Sequence, residues 1–126
     1  DIINDPGATK VLATLDNAGK LNVVPKGTIS AINEETVIFG DIWGDKTNAN
    51  LNATGKAAVV AFKAVPPFPG FQVKGTFQGF QSSGDLFDTV AKLTKEAVKL
   101  DIKAVGVIKV DEVYSAGPPN PGARLA

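Results

Sequence analysis

Lys46 and Thr47, preceded by Trp43, Gly44 and Asp45 and followed by Asn48, Asn50 and Leu51, are the residues in this sequence best suited to hold an anion. Asp45 fits the N-cap of a short helix over residues 46–53, with Gly55 as its stop. The first turn of a helix carries unpaired N–H groups and the positive end of the helix dipole, so a phosphate is stabilised there. Lys46 adds a charge and the Thr47 hydroxyl a further donor. The same residues also fit a plainer role, in which Asp45 only caps the helix and Lys46 is solvated.

A second stretch runs from Asn22 through Val23, Val24, Pro25, Lys26 and Gly27 to Thr28. A Pro-Lys-Gly break inside a strand frees backbone N–H and C=O groups that a continuous ladder would use. A flat heterocycle with a uracil-like edge needs such groups, and Lys26 would balance negative charge on a reduced ring. The alternative is a β-bulge at a barrel rim. Trp43 and Tyr114 serve as readily for packing as for contact with a ligand. Gln72 and Lys74 alternate with apolar neighbours and also fit a solvated strand face.

Composition removes much other chemistry. The 126 residues include no Cys and no His, so no disulfide, zinc-finger spacing, imidazole base, thiol nucleophile or metal-ligand set is expected, and no catalytic side chain is assigned. Thirteen basic residues balance thirteen acidic ones, and no basic run follows a phosphate backbone, which argues against nucleic acid as partner. Apolar runs such as residues 57–62 are of strand length, too short to span a membrane. No signal peptide leads the chain, and a soluble, cytoplasmic protein is expected. A chain that starts at Asp1 and contains no Met is expected to lack its natural start.

The elements that would position these residues follow from the hydrophobic periods. Strands are predicted at residues 10–16, 21–32, 36–41, 56–63, 71–81 and 103–114. Pro25 lacks a ladder donor, which puts its strand at an edge or at a bulge. Residues 56–63 are almost uniformly apolar, as in a strand buried on both faces. In 71–81, Phe71, Val73, Gly75, Phe77 and Gly79 share one face and Phe80 falls on the other. A long helix over 85–100 presents Leu86, Val90, Leu93, Ala97 and Leu100 to the sheet. The Pro- and Gly-rich residues 118–126 form an extended tail on one domain spanning 1–126. Short turns make the sheet antiparallel, and six such strands would close into a barrel.

In this order the pieces resemble the pyridoxamine-phosphate-oxidase-like FMN-binding split barrel, above all its small stand-alone members. The resemblance covers residues 10–114 and rests on Val11 to Asp16 with Gly19 and Asn22 to Pro25, on Lys46, Thr47, Asn50 and Leu51, and on Gly70 to Gly75. It implies a mainly β fold: a six-stranded antiparallel split barrel of Greek-key type, with a short helix after strand 3 and a long one before the last strand. It also implies a homodimeric flavoprotein, an FMN-dependent oxidoreductase or a non-enzymatic flavin carrier. Lys46 and Thr47 would take the FMN phosphate, and Val24, Pro25, Lys26, Gly27, Asp41, Ile42 and Trp43 would line the ring and ribityl chain, with Asn50 nearby. Gln72, Lys74 and Pro118 would reach the flavin of the second protomer. A deazaflavin is the alternative cofactor; haem fits poorly, since no His, Cys or Met can ligate iron. The Arg-x-His element of true pyridoxamine-phosphate oxidases cannot exist here, so vitamin-B6 oxidation is not expected. No Gly-rich dinucleotide fingerprint is present, so any nicotinamide contact would be transient.

Overall fold

The computed structural model describes residues 2–42 and 46–125. After a 3-10 turn at Ile2–Asn4 come strands β1 (Thr9–Leu15), β2 (Leu21–Pro25), β3 (Ser30–Asn33) and β4 (Thr36–Asp41). Helix α1 (Lys46–Thr54), strands β5 (Lys56–Phe62) and β6 (Gly70–Gln81), helix α2 (Asp85–Val98) and strand β7 (Ala104–Ser115) complete the chain. All seven strands lie in one sheet, in the order β2-β1-β5-β6-β7-β4-β3, and every pairing is antiparallel.

The sheet has seven strands and not six, because the segment expected as one strand over residues 21–32 is two. β2 pairs with β1 and β3 pairs with β4, so these neighbours in sequence occupy opposite edges of the sheet. Only residues 26–29 join them, so Pro25 and Ser30 can lie at most roughly 16–18 Å apart. The sheet must therefore curl until its two edges approach at this corner. Pro25 ends the edge strand β2, where its missing N–H interrupts no ladder.

The inside of the curl is the main core. Leu12, Ile29, Val37, Phe39, Val59 and Ile108 are almost fully enclosed there, joined by Leu51 from α1. Gly106 lies opposite Phe39 in the ladder, and a Cβ at Gly106 would run into the Phe39 ring, so that close approach requires glycine. β4 is buried on both faces: Val37 and Phe39 point into the curl, while Ile38 packs with Ile102, Val105 and the α2 residues Leu86, Phe87 and Val90.

Three expectations are corrected by packing. In β5, Ala57, Val59 and Ala61 are buried but Ala58 and Val60 are only half-buried, because they lie on the outer face of the sheet. In β6 the register slips between Phe77 and Gly79, which turns Phe80 inward to meet Phe39 edge-on at 6.0 Å and Phe77 at 4.8 Å. α2 stops at Val98, with Lys99 left-handed at φ 62°, and Leu93 and Ala97 are exposed instead of facing the sheet. Leu93, on a strongly amphipathic helix, therefore faces solvent beside the barrel.

Candidate functional site

The corner where the sheet edges approach carries a cleft of about 450 Å³. It is lined by Val24, Pro25, Lys26 and Gly27 from β2 and the connection, by Ile42 beyond β4, and by Lys46 and Thr47 at the start of α1. Seven of the ten residues expected to hold a cofactor thus line one cleft. Asn22, Thr28 and Gly40 also line the cleft and were not among those expected. Asn22 and Thr28 belong to the same broken-strand motif, and the Gly at the exit of β4 was the available signal for the third.

Local geometry explains why this corner is receptive. The Lys26 N–H donates to the Lys10 carbonyl at 3.0 Å, extending the β2 pairing by one residue. Beyond it, the Gly27 and Thr28 amides have no acceptor among the described residues. A Cβ built on Gly27 would meet nothing within 4 Å, so the backbone there borders open space. The Thr28 hydroxyl donates to the Gly40 carbonyl at 2.9 Å and ties the connection to the end of β4.

At the other end of the cleft α1 presents its first residues. Thr47 is buried, and its hydroxyl oxygen accepts from the Asn22 side-chain amide at 3.1 Å. That bond leaves the hydroxyl hydrogen to point at an acceptor in the cleft. Lys46 is exposed at the rim. The Lys26 ammonium lies 5.2 Å from the centre of the Phe39 ring. Burial lowers its pKa from the ordinary lysine value of 10.5, Asp41 opposes that shift and Lys103 adds to it.

Asp41 and Asn50 are brought close but do not line the cleft. Asp41 is buried behind it, accepting from the Asn48 amide at 2.7 Å, with the Lys103 ammonium 4.0 Å away. Asn50 is buried under α1 and donates to the Thr14 hydroxyl at 3.1 Å. Trp43, and the expected cap Asp45, lie outside the described residues. Gln72, Lys74 and Pro118 do not line this cleft. Gln72 and Lys74 are on the outer face of β6, the Lys74 ammonium 4.9 Å over the Tyr114 ring, and Pro118 is exposed in the tail. Among the described residues, no three His, Cys, Asp or Glu side chains gather as a metal site would require.

The donors of the cleft suit a phosphate-bearing ligand. It offers two cations, a hydroxyl and unengaged amides, and no carboxylate lines it among the described residues.

No protein-family model and no curated protein sequence matches the chain. Its fold is nevertheless shared with solved structures. HupZ of Group A Streptococcus superimposes with a TM-score of 0.85 at 24% identity, over 100% of this chain and 94% of that one. An FMN-binding protein of Syntrophomonas wolfei gives 0.84 at 22%, over 92% and 82%. A putative pyridoxamine 5'-phosphate oxidase of Lactobacillus delbrueckii gives 0.65 at 23%, over 84% and 83%. An F420 reductase and HutZ, the heme storage protein of Vibrio cholerae, match at TM-scores of 0.68 and 0.70 with 16% and 11% identity. With its antiparallel sheet, its two helices and these neighbours, the chain has the fold of the pyridoxamine-phosphate-oxidase-like split-barrel family.

Proposed function

We propose that the corner cleft binds FMN and that the protein is a homodimeric flavin-dependent oxidoreductase. One observation carries this reading: Lys26 and Gly27 on one side and Lys46 and Thr47 on the other, picked from separate parts of the sequence, line a single cleft. Lys46, the Thr47 hydroxyl and the first amides of α1 would hold the phosphate. Val24, Pro25 and Ile42 supply apolar wall to the ring, and the Gly27 and Thr28 amides donate to its carbonyl edge. Lys26 places a positive charge where the ring gains negative charge on reduction. Bound flavin supplies hydride or single-electron transfer, and the protein contributes orientation and electrostatics. No side-chain acid or base is required, which suits a chain without His or Cys.

The outer sheet face supports the dimer. Leu21 and Val23 of β2 are 77% and 63% exposed, beside Ala13, Ala58 and Val60. Packed on a second copy, this face would carry Gln72 and Lys74 towards the second flavin.

FMN added to the purified protein should bind with quenched fluorescence. Lys46→Ala should weaken binding about tenfold or more, as expected for a lost charge-assisted contact of roughly 1.5–3 kcal/mol. Unchanged affinity in Lys46→Ala would remove the phosphate assignment. Steady-state turnover with NADH or NADPH separates an enzyme from a carrier, which is reduced slowly and releases no product.

A deazaflavin is the second reading, supported by the F420 reductase among the proteins of like fold. Its phosphate-bearing chain would use the same α1 start. Titrating both cofactors in parallel decides between them.

A further inference from the structure

Beside the corner cleft lies a second one, also about 450 Å³, between α2 and the β2–β3 connection. The two share Gly27, Thr28 and Ile42, so they adjoin along that connection. The α2 side of the second cleft is mostly apolar, with Val90, Leu93, Ala97, Val98 and Leu100, while Asn4, Thr28, Ser30 and Thr94 add polar groups to its lining. Leu93 and Val98 are 59% and 53% exposed, an apolar surface that the fold leaves uncovered.

In this setting stands one charge. Lys10, on the inward face of β1, is only 8% exposed, and it is the single charged side chain lining this cleft among the described residues. Its ammonium donates to the Ile29 carbonyl at 2.8 Å, which uses one of three N–H donors. Burial lowers the Lys10 pKa from the ordinary 10.5 and Asp5 opposes that shift, but the Asp5 carboxylate is itself held by Lys63 at 2.5 Å. A buried ammonium with donors to spare, at the foot of an apolar wall free of carboxylates, complements a molecule with an apolar body and one anionic end.

We propose that this second cleft binds an apolar carboxylate, its carboxylate on Lys10 and its body against Leu93 and Val98. The body would extend towards Gly27 and Ile42, where, on the flavin reading above, it would meet the cofactor as the second substrate. Binding of the carboxylate itself does not require the flavin.

The probes are trans-cinnamate and cinnamamide, which share a body and differ in charge, titrated into the flavin-free, ¹⁵N-labelled full chain. Cinnamate should shift the amides of Gly27, Ile29 and Leu93 and bind about tenfold more tightly than the amide. Lys10→Met should abolish that preference and Lys10→Arg should keep it. Leu93→Gln, at an exposed position where folding is not at stake, should weaken both probes. Equal binding of the two probes, no binding of either, a preference that survives Lys10→Met, or shifts centred on Lys46 and Thr47 would each overturn the proposal. Cinnamate should bind Lys46→Ala as it binds the wild type, so failure of the carboxylate site and failure of the phosphate site show separately.

Discussion

On the proposed function, Lys26 is a side chain that would serve a ligand at the expense of the stability of the fold. Its half-buried ammonium is disfavoured by burial and by Lys103, against a smaller favourable contribution from Asp41. A lysine whose folded-state pKa lies below 10.5 binds fewer protons folded than unfolded between those two values. Its penalty is therefore present in full at neutral pH, and stability recovers as pH rises through that window. Lys26→Met should accordingly be more stable than the wild type at neutral pH in urea denaturation, with the gap closing as pH approaches 10.5. The same substitution should weaken flavin binding, most for the reduced form. A gap that widens with pH would show that the ammonium stabilises the fold. Gly27 tests the neighbouring position without this complication: Gly27→Val adds a side chain to open space, so it should leave stability within about 1 kcal/mol while obstructing the cofactor.

Among the elements, α1 has to be held firmly, since it carries both residues assigned to the phosphate. Leu51 anchors it in the core, the Asn50 amide bonds Thr14, and the Thr54 hydroxyl donates to the Leu15 carbonyl at 2.7 Å. Asn50→Ala leaves the buried Thr14 hydroxyl without its donor and should cost about 1–3 kcal/mol in chemical denaturation. It should also lower FMN affinity, although Asn50 does not line the cleft. This helix was legible in the sequence nearly to the residue, because a Gly stop and a local polar pattern define it. The division of residues 21–32 was not. The break at Pro25 to Gly27 is visible, but β2 and β3 choose partners at opposite sheet edges, and partner choice depends on segments far away in sequence. The inward turn of Phe80 depends on a register slip against β7, and the exposure of Leu93 on how far α2 rides over the sheet. Both are set by tertiary packing, which a period in the sequence does not encode.

At the scale of the molecule, the proposed dimer rests on the outer face of β2, β1 and β5. Val23→Glu places a charge on an exposed apolar position and should leave the monomer folded. Sedimentation should then show loss of the dimer, with weaker flavin binding if the second protomer completes the site. A dimer unchanged by Val23→Glu would move the interface elsewhere. Seven of the cleft residues could be named from the sequence because they sit in local motifs; that they line one cleft depends on the curl of the sheet. That curl leaves residues 26–29 as a seam between two edges, with the Gly27 and Thr28 amides outside every ladder. Such amides exchange their hydrogens through small local fluctuations, independently of global unfolding. A ligand that occupies the corner would slow deuterium uptake at this seam first, and the distant pairing of β5 with β6 would register it last.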